Sequence, residues 1–551
     1  SFISDGEYKI EEIIIKDKAG NVATKSSENF VIDTENPTGE IAEVETPTTG
    51  VYKESPKLKF YAKDILKDES YSGIYQAYYT IRDNNDSESE AEKISLIPPA
   101  ENDENPRLSE FESQEIEIPA EKYNSNNVTV TLYVEDFSGR TSEASIDLMI
   151  DCTEPSITLD YEEGLPKHDK YFSDPRTAYL RIQERNFQSQ NLELHIKYQY
   201  VDEQYSGKAD SEKGVKTVDK TLNIDQWISE TYTGNDFLKI SFVQDSQAGT
   251  EEKNYTDERC IEYKLEFLSD AEYEILSIQC TDKAGITTEG AESSDKAPYS
   301  FVIDQSVPDY ANITIGKENW INQFFDTITF HLFSNEDVQV AMEAKDKDSP
   351  VERIEYIRAP KGMTEKELDA ETGWETIGTT MPNSNMAEGK LTVEPNEQFV
   401  IYTKITNYAG LMAYYSSDGQ IVDDVEGNIT ITETNRPDDG VYKSDAILKI
   451  HVEDPHVDGN NGGTYSGIEK VEYRIIARGN MAVDSGWITL EERSEKVQNS
   501  EPVEKNITIS AETYNSNDVT VYVRAWDFAG NITEEGQELP ETNKIELAFD
   551  T

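Results

Sequence analysis

Asp17-Lys18-Ala19-Gly20-Asn21, Asp136-Phe137-Ser138-Gly139-Arg140, Asp282-Lys283-Ala284-Gly285-Ile286, Asn407-Tyr408-Ala409-Gly410-Leu411 and Asp527-Phe528-Ala529-Gly530-Asn531 are five copies of one phrase. Each follows a β-rich run. Val128, Val130, Leu132 and Val134 lead into the second copy, and Val519, Val521, Val523 and Ala525 into the fifth. Alternation with period two is the mark of a half-buried strand. The Gly of the phrase then supplies a positive φ for a tight turn. Successive copies lie 119, 146, 125 and 120 residues apart. A period this long denotes whole domains in tandem rather than a short solenoid repeat. Function is therefore sought first in the array itself.

Downstream of each phrase comes a final strand that ends in Asp. It reads Phe30-Val31-Ile32-Asp33, Leu148-Met149-Ile150-Asp151, Phe301-Val302-Ile303-Asp304, Gln420-Ile421-Val422-Asp423 and Leu547-Ala548-Phe549-Asp550. A short acidic linker follows, with Pro37, Pro155 or Pro308 to stiffen it and to block strand pairing across it. Upstream, Asp5-Gly6-Glu7-Tyr8 and Asp270-Ala271-Glu272-Tyr273 resemble the tyrosine corner of Greek-key sandwiches. Tyr123 and Tyr514 hold the corresponding place in their units, and Phe399 lacks the hydroxyl.

The expected architecture is all-β, a row of antiparallel β-sandwiches. Residues 1–34 form the C-terminal fragment of one domain, followed by domains at 35–152, 153–305, 306–423 and 424–551. The unit at 153–305 is a longer variant and that at 306–423 is divergent. The units at 35–152 and 424–551 are closest to each other: Gly50-Val51-Tyr52-Lys53 matches Gly440-Val441-Tyr442-Lys443, and Tyr71-Ser72-Gly73-Ile74 matches Tyr465-Ser466-Gly467-Ile468. Helical periodicity is confined to 361–371. About three strands cannot bury a core, so 1–34 is expected to be incomplete alone.

With 50 Lys+Arg against 110 Asp+Glu, the chain carries a net charge of −60. Such a surface repels nucleic acid and anionic membranes. Its 31 Tyr and 18 Phe, with dense Val/Ile alternation, argue against disorder. No transmembrane run, secretory signal or lipid motif is visible, so no membrane insertion is expected within this segment. Cys152, Cys260 and Cys280 form no recurrent pair, and alternation points Cys260 outward and Cys280 inward.

Chemistry-bearing motifs are scarce. Five scattered His, no metalloprotease or Cys-x-x-Cys motif, no nucleophile elbow and no phosphate loop give no catalytic constellation. Leu539-Pro540-Glu541-Thr542-Asn543 has Asn where a wall-sorting signal needs Gly, and reads as a loop. No Lys–Asn–acid trio for an isopeptide crosslink stands out. The junction carboxylates Asp33 and Glu35, Asp151 and Glu154, Asp304 and Asp309, Asp423 and Asp424 are metal candidates, because Ca²⁺ takes six to eight oxygens that two adjoining domains could supply. The competing reading is a solvated polar linker. The loop from Asp454 with Asp458 and Asn460 is a second candidate, or an ordinary long turn. Trp374 and Trp487 each follow a Gly and could stack on sugars, or pack at a sheet edge, with Trp227 as a counterpart.

The Asp-x-Ala-Gly-Asn turn, the Ile-Asp-x-x-x-Pro handover and the Tyr-Ser-Gly-Ile segment resemble bacterial immunoglobulin-like (Big-type) repeats. Such repeats occur in large surface and adhesin-like proteins, especially of Gram-positive bacteria. The resemblance spans nearly the whole chain. It implies a non-catalytic, extracellular stalk at the cell surface or wall, continuous with further repeats, that projects a binding tip. Two alternatives remain open: a unit that itself binds a host or dietary glycan or protein, and a spacer of a secreted multi-domain enzyme.

Overall fold

In strand Val128–Asp136 the residues Val128, Val130, Leu132 and Val134 are at most 1 % exposed, while the intervening side chains reach solvent. That alternation sets one face of a sheet against a second sheet. The strands between Thr38 and Ile150 form two such layers. One has Lys57–Lys63 at its centre, flanked by Thr38–Glu43, Glu110–Glu112 and Ile116–Glu117. The other runs in the order Val51–Tyr52, Thr141–Ile150, Val128–Asp136, Ile74–Asp83, Glu92–Ile97. All pairings are antiparallel except Val51–Tyr52, which lies parallel to the end of Thr141–Ile150. Leu58, Phe60, Tyr79, Ile118 and Leu132 fill the space between the layers.

This computed structural model describes the chain apart from residues 66–71, 88–90, 100–106, 165, 203–213, 291, 294–299, 382–383, 458–463, 480–481, 496–497 and 499–500. Three further cores follow, at 157–303, 311–422 and 442–549. The last repeats the first closely. Tyr442 Oη donates to Glu433 (2.6 Å) as Tyr52 Oη donates to Glu43 (2.6 Å). Its strand Asp518–Asp527 buries Thr520 and Tyr522 as well as the inward valines, because Arg478 lies over the outer face and donates to both (3.1 Å each).

The core at 157–303 adds a helix that periodicity did not signal, Ile224–Tyr232. A capping box starts it: Asn223 accepts from the Gln226 N–H, and the Gln226 side chain accepts from the Asn223 N–H. The helix plugs Trp227 into the core, where it is 0 % exposed and its indole N–H donates to Leu194 O (3.1 Å). Trp227 is therefore no counterpart of Trp374 and Trp487. The short helix Glu365–Asp369 falls inside the expected stretch.

The divergent unit departs from two separate layers. Its strands form one continuous curled ladder, because Glu375–Thr380 pairs with Val351–Ala359 on one side and Met386–Val393 on the other. Two glycines make that corner. A Cβ on Gly378 would lie 2.6 Å from Glu388 O, and one on Gly389 2.7 Å from Ile377 O.

Both Asp-x-x-Tyr segments make the expected corner. Tyr8 Oη donates to Ser4 O (2.8 Å), and Tyr273 Oη to Ser269 O (2.8 Å) with Phe237 O at 3.0 Å. Tyr123 instead donates to Glu92 (3.2 Å). Residues 1–34 supply two short ladders, Gly6–Tyr8 with Phe30–Ile32 and Ile13–Lys16 with Val22–Lys25, and bury no apolar side chain. Cys152, Cys260 and Cys280 are free, with Cys280 buried inward.

Candidate metal centre

Every junction between successive units, including the one after residues 1–34, buries a set of acids. Three parts of the sequence build it. The handover strand contributes Asp33, Asp151, Asp304 or Asp423. Just past a later strand of the following unit, Lys57–Lys63, Arg176–Gln183, Val338–Lys345 or Ala446–Glu453, comes Asp64, Glu184, Asp346 or Asp454. The turn phrase supplies Asp136, Asp282, Asn407 or Asp527. Carboxylate oxygens within 4.8 Å of one another group as Asp33–Asp64–Asp136, Asp151–Glu184–Asp282, Asp270–Asp304–Asp348 and Asp423–Asp454–Asp527. The handover acids are at most 8 % exposed.

Local turns aim these side chains. In each phrase the first residue accepts the N–H four residues on through Oδ1: Asp136 from Arg140 (2.9 Å), Asp282 from Ile286 (2.8 Å), Asn407 from Leu411 (2.9 Å) and Asp527 from Asn531 (2.9 Å). That leaves the second side-chain atom of Asp136, Asp282 and Asn407 for the junction, whereas Asp527 Oδ2 accepts from Asn531 Nδ2 (2.8 Å). Each handover Asp likewise accepts through Oδ1 the N–H two residues on: Glu35 (3.1 Å), Thr153 (3.1 Å), Ser306 (3.0 Å) and Val425 (3.1 Å).

The first and last junctions are near copies. Asp33 Oδ2 accepts Ser72 N–H (3.1 Å), and Asp423 Oδ2 accepts Ser466 N–H (2.8 Å). Asp64 Oδ2 accepts Gly73 N–H (2.6 Å) and Ser72 Oγ–H (3.3 Å); Asp454 Oδ2 accepts Gly467 N–H (2.5 Å) and Ser466 Oγ–H (3.3 Å). This fixes the use of the Ser-Gly-Ile segment: Gly73 and Gly467, at φ +91° and +94°, turn the backbone N–H onto the carboxylate. Among the described residues three junction oxygens have no partner: Asp136 Oδ2 at the first junction, Asp282 Oδ2 at the second and Asp454 Oδ1 at the last.

The second junction contains a cation of its own. Arg185, 3 % exposed, donates through Nη2 to Asp151 Oδ1 (2.9 Å) and Ile150 O (3.0 Å), and through Nη1 to Asn124 O (3.1 Å) and Asp257 (2.7 Å). Asn186 Nδ2 donates to Asp151 Oδ2 (2.6 Å). At the third junction amide and hydroxyl donors bond the acids, and Lys347 Nζ pairs with Asp348 Oδ2 (3.2 Å). Asn407 Nδ2 donates to Asp304 Oδ2 (2.9 Å) and Asp346 Oδ2 (3.0 Å); Ser349 Oγ also donates to Asp304, and the Asp348 and Ser349 N–H groups reach Asp346 Oδ1 (2.9 and 3.2 Å).

Burial, reinforced by neighbouring acids, raises several members of these clusters. Burial and then Asp151 push Glu184 up to about 8. Asp346 reaches about 7 by burial and the charge of Asp304, and Asp454 about 6 by burial and Asp423. Asp527 rises to about 7 by burial and by Asp423 and Asp454, although Asn531 pulls it down, and burial raises Asp64 as well. Such sites hold protons or cations.

Of the eight expected metal ligands, the structure brings Asp33, Asp151, Asp304 and Asp423 into the junctions. Glu35, Glu154, Asp309 and Asp424 are exposed and lie outside the clusters. The handover Asp curls back onto the linker N–H, which turns the linker acids to solvent. Asp454 belongs to the last cluster, while Asp458 and Asn460 lie outside the described residues. Trp487 is half-buried with the Arg524 guanidinium 3.9 Å over its ring, and Arg524 also lies 4.7 Å from Trp526. Trp374 is half-buried beside Tyr414 (5.8 Å) and Lys404 (4.5 Å).

No family model matches this chain, and no curated protein matches it in sequence. Among solved structures it is similar to a tetra-tandem repeat in the extending region of a large adhesion protein, at 12 % identity and TM-score 0.27 over 90 % of this chain and 96 % of that one. The Escherichia coli adhesin FdeC is similar at 11 % identity and TM-score 0.29, over 73 % and 98 %. A 1.5-MDa bacterial ice-binding adhesin is similar at 9 % identity and TM-score 0.21, over 71 % and 100 %. These scores are too low to carry function across to this chain. Among the described residues no helix is long and apolar enough to cross a membrane.

Proposed function

We propose that the chain is a non-catalytic stalk segment of a large bacterial surface adhesin-like protein, built from a partial unit at 1–34 and units at 35–152, 153–305, 306–423 and 424–551, and holding a binding tip away from the cell. The observation that carries this reading is how the joints are made. Each unit's last Asp is buried in the base of the next and bonded to groups there, so a linker of a few residues is clamped at both ends. Rings pack across two joints as well: His168 stacks on Tyr408 of the next turn phrase at 4.0 Å, and Phe333 on Phe528 at 5.8 Å. A joint pinned this way resists bending, which a stalk needs and an isolated binding module does not.

Small-angle scattering tests it. Strands of about ten residues rise about 3.4 Å per residue, so four units end to end exceed about 130 Å and give a radius of gyration near about 38 Å. A compact chain of this length would give about 24 Å. A value near the compact figure refutes the stalk. Reproducible glycan-array hits lost on Trp487→Ala or Trp374→Ala would favour direct binding by a unit, although Arg524 already covers one face of Trp487.

A further inference from the structure

We propose that the first and last junctions, Asp33–Asp64–Asp136 and Asp423–Asp454–Asp527, each bind one hard divalent cation of the calcium type, and that Arg185 and Asn407 replace that cation at the two junctions between. This rests on the carboxylate geometry alone and stands whether or not the chain is a stalk.

Three ionised carboxylates in one buried site cannot remain uncompensated, because each unpaired buried charge costs several kcal/mol. At the second junction the compensation is visible as Arg185 on Asp151. At the third, Asn407 replaces the turn-phrase Asp and bonds two carboxylates. The first junction has neither device, and at the last a single amide, Asn531 Nδ2, bonds one carboxylate, Asp527 Oδ2 (2.8 Å), with no cation beside it. Among the described residues no Lys or Arg pairs with any of their six carboxylates. Arg140 reaches only the main-chain oxygen of Asp33 (3.4 Å) and Asn36 (3.4 Å), and Asn531 donates to Asp423 O (2.7 Å).

The independent sign of a ligand is the orphan oxygen. Asp136 is 1 % exposed, its Oδ1 is tied to the turn, and its Oδ2 faces Asp33 and Asp64 with no donor. A buried acceptor left without a partner costs about 1–3 kcal/mol or more. At the last junction the atom without a partner is instead Asp454 Oδ1, on the residue that corresponds to Asp64, while Asp527 Oδ2 accepts from Asn531 Nδ2 (2.8 Å). At the second junction Asp282 Oδ2 lacks a partner too, but there the Arg185 guanidinium already sits on Asp151 in the same cluster; the third junction, where Asn407 stands in, has no orphaned carboxylate oxygen.

The donors are oxygens only, with no imidazole or thiolate, which selects a hard cation. Ligand oxygens on opposite sides of Ca²⁺ lie about 4.6–5.2 Å apart, and those of each cluster lie within 4.8 Å. Mg²⁺ demands a near-ideal octahedron and keeps several waters. A buried site whose carboxylates are already fixed by backbone N–H groups suits the larger ion.

The test is calorimetric titration of CaCl₂ into the chelator-stripped full chain at about 0.15 M salt, where the Debye length is about 8 Å and diffuse counterion binding is suppressed. Two equivalents are expected. Asp136→Asn should remove one, Asp527→Asn the other and the double variant both, while Asp346→Asn leaves two. Asn407→Asp restores the missing acid at the third junction and should raise the count to three. Circular dichroism checks that each variant retains its β-structure. No binding at millimolar Ca²⁺, or a count unmoved by Asp136→Asn and Asp527→Asn, overturns the proposal. A count that stays at two in folded Asn407→Asp overturns the role given to Asn407, and Mg²⁺ binding more tightly than Ca²⁺ overturns the calcium assignment.

Discussion

Arg185→Met tests the built-in cation at the second junction. Methionine keeps much of the aliphatic stem and removes the guanidinium. Arg185 is 3 % exposed and its partner Asp151 0 %, so this pair is buried on both sides. Removing one partner of such a pair costs about 3–5 kcal/mol, because the other charge stays buried without compensation. Here the penalty is compounded, since Asp151 would be left facing Glu184 and Asp282 with Asn186 as its remaining side-chain donor. The carbonyls of Asn124 and Ile150 lose a donor too. For units of this size about 1 kcal/mol moves a melting temperature by about 3–4 °C, so one transition of the full chain should fall by about 10–15 °C. Scanning calorimetry resolves this, because the other cores should melt unchanged. Adding Asp151→Asn should restore most of the loss, since the orphaned charge is then gone. A shift below about 2 °C in every transition, or no recovery in the double variant, refutes the reasoning.

Tyr273→Phe deletes the corner hydroxyl and should cost about 1 kcal/mol, read as a lower urea midpoint for the core at 157–303. Gly378→Ala places a Cβ 2.6 Å from Glu388 O, so the corner of the continuous ladder must open; about 1–3 kcal/mol should be lost, measured by thermal melting. At the third junction, Asp346 and Asp348 lie at about 7 and about 6 in the folded chain, above the ordinary 3.8, so between these values the native state binds more protons than the unfolded one. Stability of the 311–422 core should therefore fall as pH rises from about 4 to about 7 and level off above. Asp346→Asn should flatten that slope in urea midpoints taken at pH 5 and pH 8, and an unchanged slope would exclude Asp346 as its source.

Much of the fold was legible because strands betray themselves by period two. The inward faces of Val128–Asp136 and Asp518–Asp527, and the Gly turn after each, follow from local rules. What escaped depends on tertiary context. The helix Ile224–Tyr232 is nine residues with two buried side chains, too short for periodicity, although Asn223 and Gln226 carried a readable capping box. The continuous ladder at 310–422 hangs on Gly378 and Gly389, whose meaning appears only once the strands containing them touch. Trp227 looked like its two fellows by composition, and its burial in a helix shows that a residue type without its element says little.

The junction sites were half legible for a related reason. Each gathers acids from three motifs that lie far apart in the chain, and the turn-phrase Asp has a sufficient local role as a turn former. Nothing in the sequence says that one of its oxygens is spare. Position relative to the linker pointed to Asp33, Asp151, Asp304 and Asp423, but also to the exposed Glu35, Glu154, Asp309 and Asp424. The decisive comparison runs between junctions. Asp136 and Asp527 are matched by Asn407 in the fourth phrase, and Glu184 is followed by Arg185 where Asp64 is followed by no base. These differences are the ground for proposing that the first and last joints take an ion while the middle joints bring their own donor. An array made this way would soften at its first and last joints when the cation is withdrawn, while its middle joints stay pinned.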